Sequence, residues 1–485
     1  MYVHRACGGF PVLIELEALE TRRLMSAAAS AASVAAAVAG AKVDPVLEWN
    51  NILIAALRAD QTHAGPGFSS RAGAIMHAAI FDAVNAIDGS YAPFLVDAAA
   101  SRSTPIDAAV AAAGWRTLCT LYPLQKSTFD SALAKTLARV ANGRREDAGV
   151  ALGVSVADQI LAARADDGSD AIVPYTPGTD PGDWQPTGPD FTDAWGPGWG
   201  AVTPFSMVSG AQFRPPPAPA LTSAEYTAAF NEVKSLGANN STTRTAEQTQ
   251  ISIFWGYDRP GMGTPPTMYN QLVQTIARQQ HNTTAQNARL FALANLAMAD
   301  AGIAAWDCKY IDNLWRPVTA IRAADTDGNP DTVADPAWEP LGAPGGGIIP
   351  NFTPPFPAYV SGHATFGAAV CEVLKDFYHT DKIHFTLISD ELPGVTRSFN
   401  SFTQAAAENG VSRIYLGIHW QFDNTEGQNL GRQIADFVFA HALTSQAAGH
   451  SDHVPGPPVT FMPASLSGVH VITLIDKPQD DLIAL

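Results

Sequence analysis

The sequence predicts an all-α protein, a helical bundle interrupted by long loops. Two observations support this class: apolar residues recur mostly at helical spacing from Asp44 onward, and strand-like alternation is scarce before residue 455. Gly and Pro crowd into two segments, 168–219 and 325–359, which marks these as loops between helical regions. A bundle of packed helices is the architecture that such a pattern favours.

Each predicted helix rests on apolar residues that recur three and four positions apart. In the second helix, for example, Met76, Ile80 and Ile87 fall on one face. In chain order, helices are predicted over 45–57, 72–87, 104–122, 127–140, 145–165, 223–236, 245–256, 266–281, 284–305, 306–322, 361–378, 403–416 and 424–444.

The first Gly- and Pro-rich segment keeps Trp184, Trp195 and Trp199. Disordered segments seldom retain so many aromatic residues, so we expect an ordered loop or lid over 168–219. Near the C-terminus, the stretch from Val469 to Ile475 predicts either a strand of a short hairpin or a chain that only wraps the surface.

The N-terminal 41 residues resemble an export signal. Arg22 and Arg23 precede an Ala-rich apolar run, and Ala39-Gly40-Ala41 provides a small-x-small cleavage site. The paired arginines resemble a twin-arginine signal, which predicts a periplasmic or extracellular protein; a disordered Ala-rich tail is the alternative. The predicted regions are 1–41 (export signal-like), 42–222 (N-terminal helical region and long loop), 223–450 (C-terminal helical bundle) and 451–485 (tail).

Charge, apolar runs and cysteine content limit what this protein can bind and how it is built. The net charge of −17 argues against nucleic acid or an anionic membrane surface, so any bound anion must be held by a local cluster of cations. After the N-terminal segment no stretch of 18 uninterrupted apolar residues predicts a membrane span. Free thiols are expected, with one bridge among Cys119, Cys308 and Cys371 left open.

Three short blocks in the C-terminal half carry candidate chemistry, and the first is Lys309-x6-Arg316-Pro317. On one helix, seven residues at about 100° each bring both cations to nearly the same face. Pro317 favours a kink or a helix end at this point. Taken alone, such a pair usually marks a solvated surface.

The second block is Ser361-Gly362-His363, which follows the second loop and precedes an apolar helical run. Ser361 is a plausible N-cap, so that Gly362 and His363 occupy the first turn. The unpaired backbone N–H groups and the positive end of the helix dipole favour an anion there. A capped helix with an exposed histidine is the simpler interpretation.

The third block is Ser412-Arg413-x5-His419-x3-Asp423. If this stretch is helical, His419 and Asp423 share a face, so Asp423 can orient the imidazole and select its tautomer. Arg413 and His419 converge only if the helix breaks near Gly417. A surface ion pair is the alternative.

Together the blocks supply two arginines, a lysine, a helix N-terminus and two histidines. This set can hold a tetrahedral oxyanion, because arginines pair oxygens two at a time while Ser361 and the Gly362 N–H add neutral donors. His419 can supply the nitrogen that bonds the central atom, and His363 then lies opposite as the acid–base group.

In order and in spacing, the three blocks resemble the signature shared by vanadium-dependent haloperoxidases and type 2 phosphatidic-acid-phosphatase-like acid phosphatases. One departure is Val360, where the usual pattern has proline. A looser likeness to bacterial haloperoxidases covers 71–88, including His77. The resemblance implies the helical-bundle fold of this superfamily and an enzyme similar to bacterial chloroperoxidases.

The resemblance also implies vanadate as the cofactor, with His419 as the covalent ligand of the vanadium. It makes His363 the acid–base residue and gives Lys309 the role of polarising the peroxide. The residues that it assigns to the oxyanion oxygens are Lys309, Arg316, Ser361, Gly362 and Arg413.

Trp306 and Phe356 resemble the aromatic residues beside the vanadate in chloroperoxidase-type members, although each could equally be core packing. A dry aromatic wall favours a small polarisable halide over a hydrated phosphoester. The resemblance therefore favours a haloperoxidase that uses hydrogen peroxide to oxidise chloride or bromide and halogenates a small organic acceptor. The alternatives are an acid phosphatase that hydrolyses phosphomonoesters through a phosphohistidine, and a non-catalytic oxyanion binder.

Overall fold

Helices dominate the computed structural model, which describes residues 43–60, 65–188, 191–258, 261–344 and 351–446. In chain order they are α1 (Pro45–Ala59), α2 (Pro66–Asp88), α3 (Ile106–Leu121), α4 (Lys126–Leu137), α5 (Arg144–Ala163), α6 (Ala224–Leu236), α7 (Ala246–Phe254), α8 (Pro265–Gln279), α9 (Thr284–Asp312), α10 (Pro317–Arg322), α11 (Gly362–Tyr378), α12 (Phe402–Tyr415) and α13 (Gln421–His441). The all-α prediction is confirmed. The export signal and the C-terminal hairpin were predicted on residues that lie outside the described ones.

A β-hairpin interrupts the helices, which the sequence pattern did not predict. Its strands are β1 (Phe385–Ile388) and β2 (Thr396–Phe399), which pair antiparallel. In β1 buried and exposed residues alternate over only four positions, which is too short a pattern to stand out from the helical background.

Helix α9 lies at the centre of the fold. It begins with a capping box between Thr283 and Gln286 and packs against α2, α11 and α13. It is long and apolar enough to cross a membrane by length and composition, but 94% of its most apolar window is buried inside the protein. Burial in the core therefore explains why α9 is apolar on all sides.

The contact between α11 and α13 depends on glycine. A Cβ atom at Gly431 would lie 2.3 Å from the carbonyl oxygen of Thr365, so only glycine allows the two backbones to approach this closely. The same close approach lets the Ser361 N–H donate to the Asp423 carbonyl oxygen at 3.1 Å. Two of the three predicted blocks are thereby brought together.

The predicted helix over 306–322 is wrong. Helix α9 continues from Thr284 to Asp312, and Asn313 then adopts a left-handed conformation with φ of 52°. Arg316 is extended and precedes Pro317, the first residue of α10. Because a residue before proline avoids the helical region, the chain breaks here, and Lys309 and Arg316 do not share one helical face.

The long loop over 168–219 is ordered where it is described, as expected. The Trp184 and Trp199 side chains are buried, and the backbone N–H of Trp184 donates to the Asn313 carbonyl oxygen at 2.7 Å. The Asp300 carboxylate of α9 accepts hydrogen bonds from three consecutive loop N–H groups, so the loop is tied to the central helix.

The three cysteines within the described residues, Cys119, Cys308 and Cys371, are free thiols. The bridge that the sequence left open is therefore not formed among them.

Candidate active site

The N-terminus of α11 is built as the sequence predicts. Ser361 is the N-cap, and its hydroxyl accepts a hydrogen bond from the Ala364 N–H at 3.4 Å. Gly362 and His363 form the first turn. A Cβ atom at Gly362 would lie 3.3 Å from the Trp306 ring, so the missing side chain lets this ring cover the start of the helix.

The end of α12 turns the chain at Gly417, where the convergence of Arg413 and His419 requires a break. The Gly417 N–H donates to the Ile414 carbonyl oxygen at 2.9 Å, and the Ile418 N–H donates to the Arg413 carbonyl oxygen at 3.2 Å. This is a Schellman motif, and Gly417 supplies its left-handed residue with φ of 76°. Arg413 and His419 consequently line the same cavity.

The His419 ring is bonded on both sides. Its Nδ1 lies 2.8 Å from an Asp423 carboxylate oxygen, and its Nε2 lies 3.0 Å from Nη1 of Arg316. A guanidinium only donates, so Nε2 carries the lone pair and Nδ1 carries the proton that is donated to Asp423. Burial lowers the pKa of His419 well below its ordinary value, as do the charges of Arg316 and Lys309, and the imidazole is neutral.

The contact between His419 and Asp423 forms as expected, although the stretch is not helical at His419 and the two residues do not share a helical face. His419 precedes Trp420, the N-cap of α13, while Asp423 lies in the first turn. The same Asp423 oxygen accepts the Trp420 N–H at 3.1 Å. The carboxylate therefore caps the helix and holds the imidazole together.

Both arginines are buried and only partly bonded. Arg316 donates from Nε to the Phe356 carbonyl oxygen at 2.7 Å and from Nη1 to that of Ile418 at 2.8 Å. Arg413 donates from Nη2 to the Asp258 carboxylate at 2.5 Å. Among the described residues, Nη2 of Arg316 and both Nε and Nη1 of Arg413 are buried without a hydrogen-bond partner. Burial lowers the pKa of Arg316 to about 9.

These three nitrogens fit the oxyanion that the resemblance implies. A buried donor without a partner costs about 1–3 kcal/mol, and more when it is charged. An anion with several oxygens would satisfy the orphaned donors of Arg316 and Arg413 together, while the His419 Nε2 lone pair could bond its central atom. The arrangement is suited to vanadate or phosphate.

Lys309 is buried, and its ammonium group is already fully bonded. Its Nζ donates to the carbonyl oxygens of Pro357 at 2.9 Å, Ala358 at 3.0 Å and Val360 at 2.6 Å. The three carbonyls favour the charged form, although burial and the Arg316 charge lower the Lys309 pKa. Lys309 thus holds the loop before α11, and a bond to an oxyanion would replace one of these carbonyls.

His363 is positioned as a neutral base. Its Nε2 lies 2.8 Å from the Gly256 carbonyl oxygen, which can only accept, so the lone pair of the neutral ring is on Nδ1. Burial and the nearby Arg413 charge lower the pKa of His363 to about 4. The ring is therefore uncharged near neutral pH.

Four aromatic side chains, Trp195, Trp306, Phe356 and Phe366, form a continuous surface that we call the aromatic wall. The Trp306 ring centroid lies 4.9 Å from that of Phe356, 5.1 Å from that of Trp195 and 6.4 Å from that of Phe366. The Phe356 centroid is also 4.8 Å from the guanidinium carbon of Arg316. Phe356 therefore joins the aromatic wall to the cations.

A cavity of about 590 Å³ lies at the site, and Lys309, Arg316 and Ser361 are not among the described residues that line it. The predicted site residues in its lining are Trp306, Phe356, Gly362, His363, Arg413 and His419. No sequence motif pointed to Asp258, which pairs with Arg413, or to Trp195 as residues of the site. Both are distant in sequence from the three blocks, and no spacing pattern links them to the site.

A helical bundle that brings a neutral imidazole and two buried, incompletely bonded arginines to one site defines a protein suited to binding an oxyanion. Residues 289–447 match the family model described as the VCPO second helical-bundle domain. The chain is 31% identical over 490 residues to vanadium chloroperoxidase of Curvularia inaequalis, covering 79% of this chain and 80% of the relative. The chain belongs to the vanadium-dependent haloperoxidase family.

Solved structures agree with this assignment. The structure described as the first bacterial vanadium-dependent iodoperoxidase superposes with a TM-score of 0.72 at 28% identity, covering 84% of this chain and 99% of that chain. A holo-type bacterial vanadium-dependent chloroperoxidase shares the fold, with a TM-score of 0.62 at 16% identity over 80% of this chain and 94% of that chain. The protein is a vanadate-dependent haloperoxidase with hydrogen peroxide and a halide as substrates, and the phosphatase alternative is not favoured.

Proposed function

We propose that this chain oxidises chloride or bromide to a hypohalous species with vanadate bound at His419 Nε2. One observation carries the proposal: a histidine lone pair and three partnerless guanidinium nitrogens of Arg316 and Arg413 belong to one buried site. The three guanidinium nitrogens are buried without a partner at considerable cost, which is expected of a site that an anion completes.

In this proposal each polar group has a separate task. Arg316 and Arg413 pair the oxyanion oxygens, and the Gly362 N–H at the start of α11 adds a neutral donor together with Ser361. Lys309 contributes a buried positive charge and holds the loop before α11. Asp423 keeps the proton of His419 on Nδ1, so that Nε2 stays available as a ligand.

His363 serves as the acid–base residue of the proposed reaction. Lewis-acid activation of the peroxide is the chemistry that vanadate supplies when bound. His363 Nδ1 accepts a proton from the incoming hydrogen peroxide and returns it to the departing oxygen as water forms. The aromatic wall keeps bulk water away from the halide, which favours attack on the activated oxygen.

The proposal is tested with purified apo-protein titrated with orthovanadate. Peroxide-dependent halogenation of an excess organic acceptor is measured with chloride, bromide and iodide separately, because the named relatives include a chloroperoxidase and an iodoperoxidase. We expect activity with chloride or bromide that saturates with vanadate and is competed by phosphate. The His419→Ala variant is expected to have none, while His441→Ala, at an exposed histidine, retains it.

Two results would contradict the proposal. The first is an absence of vanadate-dependent oxidation of any halide by a folded protein. The second is phosphomonoester hydrolysis without halogenation, which would favour the phosphatase class instead.

We further propose that the chain is exported through the twin-arginine-like segment in residues 1–41. Fractionation of cells that express the full chain, with mass measurement of the mature protein, tests this. Replacing both arginines, as Arg22→Lys with Arg23→Lys, is expected to retain the protein in the cytoplasm. Unchanged fractionation of this double variant would contradict export by that route.

A further inference from the structure

The cavity above the site is larger than a halide and hydrogen peroxide require. Its volume is about 590 Å³, whereas one water takes up about 30 Å³ in the liquid. Pockets of roughly 300–1,000 Å³ are the size that binds organic ligands. Even with an oxyanion at His419, most of this volume would remain for a further molecule.

The lining beside the site is aromatic, and its rings are tilted or set edge to face to one another. The aromatic wall continues into Pro354 and Pro355, which line the same cavity. Aromatic rings prefer edge-to-face or offset contacts with other rings at centroid distances of about 4.5–7 Å. Asp258 and Ser69 also line the cavity and carry oxygens that can accept a hydrogen bond from a hydroxyl group.

Trp195 is held in place by the elements that carry the rest of the aromatic wall. Its backbone N–H donates to the Pro355 carbonyl oxygen at 2.8 Å. Its own carbonyl oxygen accepts from the Tyr310 hydroxyl at 2.6 Å and from Trp306 Nε1 at 3.4 Å. The long loop over 168–219 therefore fixes the backbone at Trp195. The Trp195 ring packs edge to face on Trp306 with centroids 5.1 Å apart, so the wall is preorganised for an aromatic ligand.

We propose that the cavity binds the organic acceptor itself, an electron-rich aromatic compound packed against Trp195 in the aromatic wall, so that halogen transfer takes place inside the protein. This inference rests on the proposed haloperoxidase function for its chemistry. Hydrogen peroxide oxidises the halide by two electrons: H2O2 + X⁻ + H⁺ gives HOX + H2O. The aromatic π electrons then attack the halogen, forming C–X, and the displaced C–H proton joins the hydroxide as water: HOX + ArH gives ArX + H2O.

Binding is tested on the apo-protein, where vanadate plays no part. Calorimetric titration with 2-naphthol is expected to give one saturable site, with about tenfold weaker binding in Trp195→Ala because one ring contact and its burial are lost. Trp195→Phe keeps a ring on the wall, so its affinity for 2-naphthol should lie between those of the wild type and Trp195→Ala. Trp115→Ala is the matched control, since Trp115 lies outside the cavity and bonds Asp130. Thermal unfolding checks that each variant is folded.

Halogenation is then tested by competition between 2-naphthol and the same group tethered to a large dextran that cannot enter the cavity. With the vanadate-loaded protein, free 2-naphthol should be halogenated in greater excess over the tethered group than with reagent hypohalous acid. In Trp195→Ala the ratio of free to tethered 2-naphthol that is halogenated should move towards the ratio obtained with reagent hypohalous acid. If this variant does not fold, Trp195→Phe is measured instead.

The outcomes separate the two proposals. A reagent-like ratio from an active wild-type enzyme, or no saturable 2-naphthol binding to the folded apo-protein, overturns the acceptor site and leaves the haloperoxidase function standing. Saturable binding that weakens in Trp195→Ala, in a protein without peroxide-dependent halogenation, supports the aromatic site while the proposed function fails.

Discussion

His419 lies between a carboxylate and a guanidinium, and this decides what its ring can do. Asp423 accepts the Nδ1 proton, and Arg316 donates towards Nε2. Burial raises the pKa of Asp423 to about 7, while the charges of Lys309 and Arg316 oppose that rise. Burial and the charges of Arg316 and Lys309 lower the pKa of His419 well below its ordinary value, so the ring is neutral with a directed lone pair, which suits a ligand to an oxyanion.

The Asp423→Asn substitution should weaken vanadate binding to the apo-protein by about 10–100-fold, the usual effect of losing a group that orients a metal ligand. The amide would no longer hold the Nδ1 proton as a carboxylate does. The dissociation constant from calorimetric titration with orthovanadate is the measurement. Asp158→Asn, which breaks the exposed ion pair with Arg116, serves as the control. An unchanged constant in folded Asp423→Asn would contradict the assigned role.

His363 should make the stability of the apo-protein depend on pH. Its folded pKa is lowered to about 4, below the value of 6.5 expected when unfolded. Between these values the unfolded state binds a proton that the folded state does not, so this contribution to stability is lost as the pH falls from 6.5 to 4. A shift of this size corresponds to about 3 kcal/mol.

The measurement is the free energy of unfolding by urea at pH 7, 5.5 and 4, compared with that of His363→Gln. The variant should lose less stability than the wild type on acidification, whatever its stability at pH 7. His441→Gln, at an exposed histidine, should follow the wild type. Identical acid dependence of wild type and His363→Gln would rule out the buried neutral ring.

At the scale of secondary structure, the site is assembled from helix ends. Lys309 lies in the last turn of α9, Arg316 in the break before α10, and Arg413 in the last turn of α12. Ser361 caps α11, and His419 precedes the first turn of α13. Helix ends have unpaired backbone groups. The chain also changes direction abruptly there, so side chains from distant segments can meet.

The Gly417→Ala substitution tests the turn between Arg413 and His419. Alanine in a left-handed conformation costs about 1–2 kcal/mol, and here its Cβ atom would also lie 2.5 Å from the Gly237 carbonyl oxygen. We expect a clear loss of stability together with weaker vanadate binding. Gly89→Ala is the matched control, because Gly89 has φ of 71° but nothing within 4 Å of an added Cβ atom. Equal effects of the two substitutions on vanadate binding would contradict this account.

At the scale of the whole molecule, the long loop over 168–219 connects the N-terminal helices to the site. Its buried anchor is Asp300, whose carboxylate accepts from the backbone N–H groups of Phe205, Ser206 and Met207 at 2.6–3.0 Å. Burial raises the pKa of Asp300 to about 6. The same loop supplies Trp195, so a cavity residue belongs to a segment that α9 holds at a second point.

The Asp300→Ala substitution should destabilise the protein by roughly 3 kcal/mol, because three loop N–H groups lose their acceptor. The free energy of unfolding by urea and the rate of proteolysis within the loop are the measurements, and both should change. Asp307→Ala on the same helix removes the more exposed ion pair with Arg214 and should cost about 1 kcal/mol or less. A loop that stays protected from protease in Asp300→Ala would show that other contacts hold it.

Local features were predictable from the residues themselves. The helical class, the Ser361 cap and the break at Gly417 depend on neighbours within a few positions, where sterics and capping act. The helix over 306–322 was predicted wrongly although Pro317 signalled an end there, because the left-handed turn at Asn313 has only a weak signal. The four-residue strands of the hairpin were too short to be recognised.

The sequence by itself determined the helical class and the inventory of charges, because helix periodicity, caps and residue types are local properties. Only the tertiary structure decided which donors stay open. Lys309 is fully bonded by carbonyls, whereas Arg316 and Arg413 retain partnerless nitrogens. It also decided that Trp195 lines the cavity. These outcomes depend on the packing of residues far apart in the chain, which spacing along the sequence does not encode.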